Sequence, residues 1–253
     1  EGKFDQLLAI EDPNYAHARI DINYPADGKL KKAIEAICDQ AVAAVKDGKV
    51  LIVLSDKAIS DDKLPVHALL ATGAVHHRLI KEGLRCDCNI IVETGTARDP
   101  HHFATLIGYG ATAIYPYLAY ECLNDMARKN EVSDGGKPRL AQQYRKGINK
   151  GLYKITSKMG ISTISSYRGS QLFESVGLNQ EVVDLCFVGT TNRLQGAGFD
   201  DLEADQRKLV KLAWNKRKSI GQGGLLKYVH GGEEHAYNPD VVSTMQAAVQ
   251  TGS

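Results

Sequence analysis

From residue 19 onward, short strand-like runs alternate with longer segments of helical spacing. This order restricts the chain to folds in which parallel strands are joined by crossover helices. Arg19, Ile20, Asp21, Ile22, Asn23 and Tyr24 alternate polar with apolar, as a strand does. After a turn at residues 25–28, Leu30, Ala33, Ile34, Ile37, Ala41 and Val45 share one face of a predicted helix that stops at Gly48, where a left-handed cap suits glycine. Residues 50–54 are continuously apolar, as in a strand buried on both faces, and Ser55 and Asp56 stand at its C-terminal end. Pro65 is read as opening a helix that runs to about Glu82. Residues 89–93 form the next predicted strand, and Asp99 followed by Pro100 starts a helix ending near Gly108 or Gly110. Residues 111–115 read as a further strand broken at Pro116, with a helix from about Leu118 to Arg128.

Beyond this point the polar, Gly-rich stretch 131–138 reads as a flexible loop, and helical spacing resumes from Leu140 to about Lys158. Residues 161–166 and 182–187 are expected to be strands with a short helix between them. Residues 200–218 look like a charged amphipathic helix, and residues 219–253 form an irregular extension ending in a helix over 240–249. The expected fold is α/β, a parallel βα arrangement like a TIM barrel. The pattern yields roughly six strands where a closed barrel needs about eight, so the barrel is expected to be incomplete. The whole of 1–253 is treated as one domain.

Composition narrows the function classes. The chain is 43% hydrophobic and 24% charged, and its 31 basic and 30 acidic residues nearly cancel, so no strong field draws it to nucleic acid or an anionic membrane. No apolar run reaches the roughly 18 residues needed to span a bilayer. The start at Glu1 has neither a signal-peptide core nor an initiating Met, which suggests a fragment. Five scattered cysteines, Cys38, Cys86, Cys88, Cys122 and Cys186, favour a reducing, cytoplasmic setting.

Few residues carry a recognisable chemistry. His76-His77 and His101-His102 are adjacent pairs, and neighbouring helical positions point about 100° apart, so neither pair makes a two-ligand metal face. Helix capping and interface hydrogen bonds are the favoured roles. Cys86 and Cys88 have no second pair with which to complete a metal site, and no Gly-x-Ser-x-Gly elbow occurs. Gly221-Gln222-Gly223-Gly224 and Gly231-Gly232 have the composition of phosphate loops but lack the strand-to-helix setting. In a βα barrel, function gathers where strands end. The candidate rim or domain-interface residues are therefore Ser55, Asp56, Glu93, Thr94, Tyr115, Tyr167 and Arg168, with His101 and His102 nearby. No paired carboxylates, catalytic lysine motif or cofactor fingerprint is expected to meet there, which favours a scaffold over an active site.

Longer runs carry a family likeness. Residues 69–80, containing His76-His77, then Ile90 to Thr94 and Asp99 to Ala104, resemble the central domain of glutamate synthase large subunits. So do residues 108–121, residues 149–169, and the tail with His230, Gly231, Gly232, Glu233, His235, Asn238 and Pro239. The likeness covers essentially the whole chain and is strongest to the bacterial NADPH-dependent form. Departures occur at residues 193–196, where the family reads closer to Arg-Ile-Gly-Gly, and at Glu234, where an aromatic is common.

The resemblance implies a non-catalytic linker, similar in topology to FMN-linked oxidoreductase barrels, that lies between a glutamine amidotransferase domain and an FMN domain and helps frame the ammonia path. It implies no catalytic, cofactor or metal residues in this chain. FMN, an iron–sulfur cluster and NADPH, the last through a small subunit, would belong to the parent enzyme. The chain start falls inside the family domain, so an early strand or helix is expected to be missing. An independent flavin- or phosphate-binding βα-barrel enzyme is the alternative.

Overall fold

The computed structural model describes residues 2–132, 137–215 and 223–252. It divides into two units, residues 1–213 and 214–253. The first begins with α1 (Gly2–Leu8), β1 (His17–Asp21), β2 (Asn23–Pro25), α2 (Leu30–Lys46), β3 (Leu51–Ser55) and β4 (Lys63–Pro65). It continues through α3 (Ala68–Lys81), β5 (Asn89–Glu93), α4 (Pro100–Gly108), β6 (Ala113–Tyr115), α5 (Tyr117–Arg128) and α6 (Lys137–Lys158). Then come α7 (Ile164–Tyr167), β7 (Glu174–Leu178), α8 (Gln180–Cys186), β8 (Thr191–Ala197) and α9 (Phe199–Ala213). The second unit contains α10 (Pro239–Thr251).

The main sheet runs β1-β3-β5-β6, all parallel. Each new strand joins the same edge, so right-handed crossovers place the connecting helices on one side, as in an arc of a barrel. The arc stays open, as the strand count had suggested. Along β3 and β5 the side chains alternate by pleat. Ile52, Leu54, Ile90 and Val92 join the large core beneath α2, α3 and α4. Leu51, Val53 and Ile91 form a smaller cluster on the opposite face, the one that would point to the axis of a closed barrel. That face is covered by α1 through Phe4, Leu7 and Leu8, and the Phe4 ring stacks on Tyr115 at 4.6 Å.

Local signals account for most helix boundaries. Gly48, Gly83 and Gly110 follow α2, α3 and α4 with φ of 80°, 72° and 112°, backbone that glycine adopts without strain. Asp99 closes a capping box on α4, its side chain accepting from the His101 and His102 N–H groups. The N-terminus of α2 has no local side-chain cap; Glu203 of α9 supplies one, its Oε2 accepting from Leu30 N at 2.8 Å.

The structure corrects several expectations. Pro65 ends β4 instead of opening a helix, and α3 starts at Ala68 with His67 as its cap. Residues 161–166 are not a strand: the segment turns into the single-turn α7, which buries Tyr167. Residues 182–187 lie largely in α8, capped by Asn179, because Val182, Val183 and Cys186 fall on one helical face. The expected helix between them is instead β7, paired parallel with β8. Helix α6 already begins at Lys137, inside the expected loop 131–138, while 133–136 lie outside the described residues. Residues 216–222, which include Gly221 and Gln222 of the Gly-rich run, also lie outside them.

Candidate functional site

The strand register builds the rim in layers. Asp21, Ser55, Glu93 and Tyr115 are in register across β1, β3, β5 and β6. Paired residues of parallel strands share a face, so this polar layer sits directly above the apolar layer of Val53 and Ile91 on the axis side. Glu93 is 1% exposed, yet its carboxylate is well partnered. It accepts from Ser55 Oγ at 2.6 Å and from the Arg19 guanidinium, and Lys57 Nζ lies 4.0 Å from its second oxygen. Arg19 also donates to Ser55 Oγ at 3.3 Å. A cavity of about 430 Å³ opens over this group, lined by Arg19, Asp21, Ser55, Lys57 and Ala58.

One residue further along, Asp56 and Thr94 form a second buried group. The Asp56 carboxylate accepts from the Thr94 hydroxyl and from Gly95 N at 3.0 Å, and the nearby Tyr117 hydroxyl also favours its charged form. Burial pushes the Asp56 carboxyl above its ordinary range, and these hydrogen bonds oppose the rise. The Tyr117 hydroxyl is pushed up by burial and by the Asp56 charge. Lys57 Nζ lies over the Tyr117 ring, 5.7 Å from its centroid. Two buried carboxylates thus stand at the rim, but in separate groups, Glu93 with Ser55 and Arg19 and Asp56 with Thr94 and Gly95. Every one of their contacts is internal: the Gly95 N–H, which could have gripped a ligand anion, is held by Asp56.

The remaining candidates sit elsewhere. Tyr115 stands at the end of β6, but its ring packs on Phe4. His102 Nδ1 accepts from Arg98 N at 3.2 Å as part of the α4 cap, and His101 lies edge-on to Phe173 at 6.4 Å. Tyr167 and Arg168 are not at a strand end at all, because the strand expected before them is absent; Tyr167 is buried with Ala104 and Ile107 against α4. Sequence reading missed Arg19, Lys57, Gly95 and Tyr117. Arg19 had a signal in its axis-side place in the β1 alternation, and Tyr117 in following Pro116 at a strand end. Among the described residues, no three His, Cys, Asp or Glu side chains come together to hold a metal, and no helix is long and apolar enough to cross a membrane.

Comparison with known proteins gives a consistent result. Residues 1–179 match the model of the glutamate synthase central domain. The chain is 39% identical to the glutamate synthase [NADPH] large chain of Bacillus subtilis, over 97% of this chain and 16% of that protein. It is 38% identical to the glutamate synthase [NADH] of Schizosaccharomyces pombe, over 94% of this chain and 12% of that protein. It is 41% identical to the ferredoxin-dependent glutamate synthase of Pyropia yezoensis, over 97% of this chain and 17% of that protein. The chain thus spans less than a fifth of the length of these relatives. Among solved structures, DHODH of Eimeria tenella overlaps 62% of this chain and 38% of its own at 14% identity and a TM-score of 0.41, a likeness too slight to bear on function.

Proposed function

The chain belongs to the glutamate synthase central domain family, and from that premise we propose that it is a non-catalytic connecting domain of a longer polypeptide. In this reading it joins a glutamine amidotransferase domain to an FMN-bearing synthase domain and helps frame the route by which ammonia passes between them. A small NADPH-dependent subunit would supply electrons to the parent. Confining ammonia keeps its local concentration high at the second site.

The observation that carries this reading is the self-saturation of the rim. Glu93 engages Arg19, Ser55 and Lys57, while Asp56 engages Thr94, Gly95 and Tyr117. The rim does not fit a flavin phosphate. Its two cations, Arg19 and Lys57, are both turned toward Glu93, and its loop N–H is occupied by a protein carboxylate. Such a network holds strand ends and loops in place but presents no free base or nucleophile.

Purified alone and given glutamine, 2-oxoglutarate and NADPH, the chain is expected to form no glutamate and to show no visible flavin band. Turnover by the isolated chain would overturn the proposal. In the parent enzyme, Glu93→Ala is expected to uncouple glutamine hydrolysis from glutamate formation, with ammonia appearing in the medium. Unchanged coupling would remove the rim from the ammonia route.

A further inference from the structure

The opposite end of the sheet, where helices end and strands begin, holds a separate cleft of about 270 Å³. Its walls come from the C-terminal half of α3, the end of α4 and the connections around residues 169–173 and 188–190. Polar and apolar groups are sorted within it: His76 and His77 stand beside Ile80, Phe173 and Val188. Three of the loop residues have left-handed backbone, Gly169 at φ 70°, Gln171 at φ 53° and Gly189 at φ 80°. A Cβ on Gly189 would lie 2.6 Å from Gln171 Nε2, so the missing side chain lets these loops close the wall.

Positive charge accumulates beside this cleft without an acid to answer it. Arg85 donates to His76 Nδ1 at 2.9 Å, to the Cys88 carbonyl at 2.8 Å and to the Gly110 carbonyl at 2.8 Å, none of them a carboxylate. Because Nδ1 of His76 accepts, its Nε2 carries the proton and is a donor. The Nε2 of His77 and the Nε of Arg168 are both buried without a hydrogen-bond partner. Arg168 directly precedes Gly169 in the cleft wall and acts electrostatically on both His76 and Arg85. A buried polar atom left unpaired costs about 1–3 kcal/mol; His77 lines the cleft and Arg168 adjoins its wall, so an acceptor entering there would offset that cost.

We infer that this cleft binds a small carboxylate, its charge beside Arg168, its oxygens taking the imidazole N–H groups of His76 and His77, and its short apolar body against Ile80, Phe173 and Val188. The charge count favours a monoanion. Burial holds both imidazoles neutral, and the Arg85 guanidinium is already spent on carbonyls, so a phosphate dianion would lack cations to balance it. This site is independent of the rim and of its proposed role.

The test is a titration of the full chain with sodium butyrate, following the histidine ring resonances by NMR at neutral pH, with sodium chloride at matched ionic strength and inorganic phosphate as parallel arms. Saturable shifts confined to the His76 and His77 rings in butyrate, absent in chloride and weaker in phosphate, are expected. Arg168→Leu should weaken butyrate binding about tenfold or more, a loss of about 1.4 kcal/mol, with Arg168→Lys retaining part of it. Shifts that never saturate or that chloride reproduces would overturn the site. Binding of phosphate without butyrate would overturn the ligand class. Undiminished affinity in a folded Arg168→Leu chain would overturn the role of Arg168, and if that variant does not fold, the wild-type titration alone still decides.

Discussion

Ser55 Oγ donates to Glu93 Oε2 at 2.6 Å, tying the end of β3 to the end of β5 across residues that are in register but far apart in sequence. Both side chains are buried, so the bond is made where water cannot substitute for either partner. Glu93→Ala is expected to lower stability by about 1–3 kcal/mol, since it strands the Ser55 hydroxyl and removes the acceptor of Arg19. Ser55→Ala, which leaves Arg19 in place, should cost about 1 kcal/mol. Urea unfolding of the two variants measures the difference, and equal effects would mean that the Arg19 contact contributes nothing.

Acid stability should depend on His76. Burial first, then the charges of Arg85, His77 and Arg168, lower its pKa to about 4. The unfolded chain therefore takes up a proton near the ordinary histidine value of about 6.5 while the folded chain does not. Stability is full above that value and falls as pH drops toward about 4. After allowance for solvent screening the loss is about 1–2 kcal/mol. His76→Gln keeps an acceptor for Arg85 and removes the titration, so the difference between wild type and variant across this window isolates the residue. A pH-independent difference would refute it.

Gly73 is where α3 meets α8. A Cβ there would lie 2.1 Å from the Cys186 carbonyl oxygen, a backbone atom that cannot rotate away. Gly73→Ala is expected to destabilise the fold by about 2 kcal/mol or more, despite the better helix propensity of alanine. Thermal denaturation with a raised melting temperature would show that the two helices separate more easily than their packing indicates.

Glu203 caps a helix that is distant in sequence. Burial pushes its carboxyl up, but the hydrogen bonds from Leu30 N–H and Arg207, with the charge of Lys29, outweigh this and hold it below the usual carboxylate range. Its contribution is therefore present above the ordinary glutamate pKa and is lost as pH falls through the depressed value. Glu203→Ala should cost about 1–2 kcal/mol at neutral pH and expose the first-turn amides of α2 to faster hydrogen exchange. Unchanged exchange at Leu30 would contradict this.

Phe4 helps cover the axis face of the sheet, stacked on Tyr115 and packed with Leu7 and Leu8 over Leu51, Val53 and Ile91. Phe4→Ala is expected to cost about 1–2 kcal/mol, less than a core phenylalanine because the ring is only half-buried. It should also increase binding of an apolar dye to the uncovered face. A variant with neither effect would show that α1 does not shield that face.

Much of the scaffold was legible because its signals are local. The continuous apolar run of β3, the Asp99-Pro100 start of α4 and the glycine stops at Gly48 and Gly83 each act within a few residues. The region from 161 to 197 was misread for the same reason. Strand β8 carries mostly exposed residues and β7 buries little beyond Ser175, so neither shows a burial pattern, while Val182, Val183 and Cys186 fit a helical face as readily as an apolar strand. Helix α1 left no usable trace, since seven residues are too few to hold a helix without the face they pack on.

By itself the amino-acid order determined most of the parallel strands and helices up to residue 128, and that acids and hydroxyls stand at the ends of β3 and β5, because periodicity and capping are settled between near neighbours. Only the tertiary structure decided that Arg19, Ser55, Lys57 and Glu93 meet, that Asp56 occupies the Gly95 amide, that Glu203 caps α2, and that Arg168 stands near His76 instead of at the rim. Those meetings depend on strand register and on which face each helix covers. Both are fixed by burying apolar surface across the whole sheet, a quantity no short stretch of sequence contains.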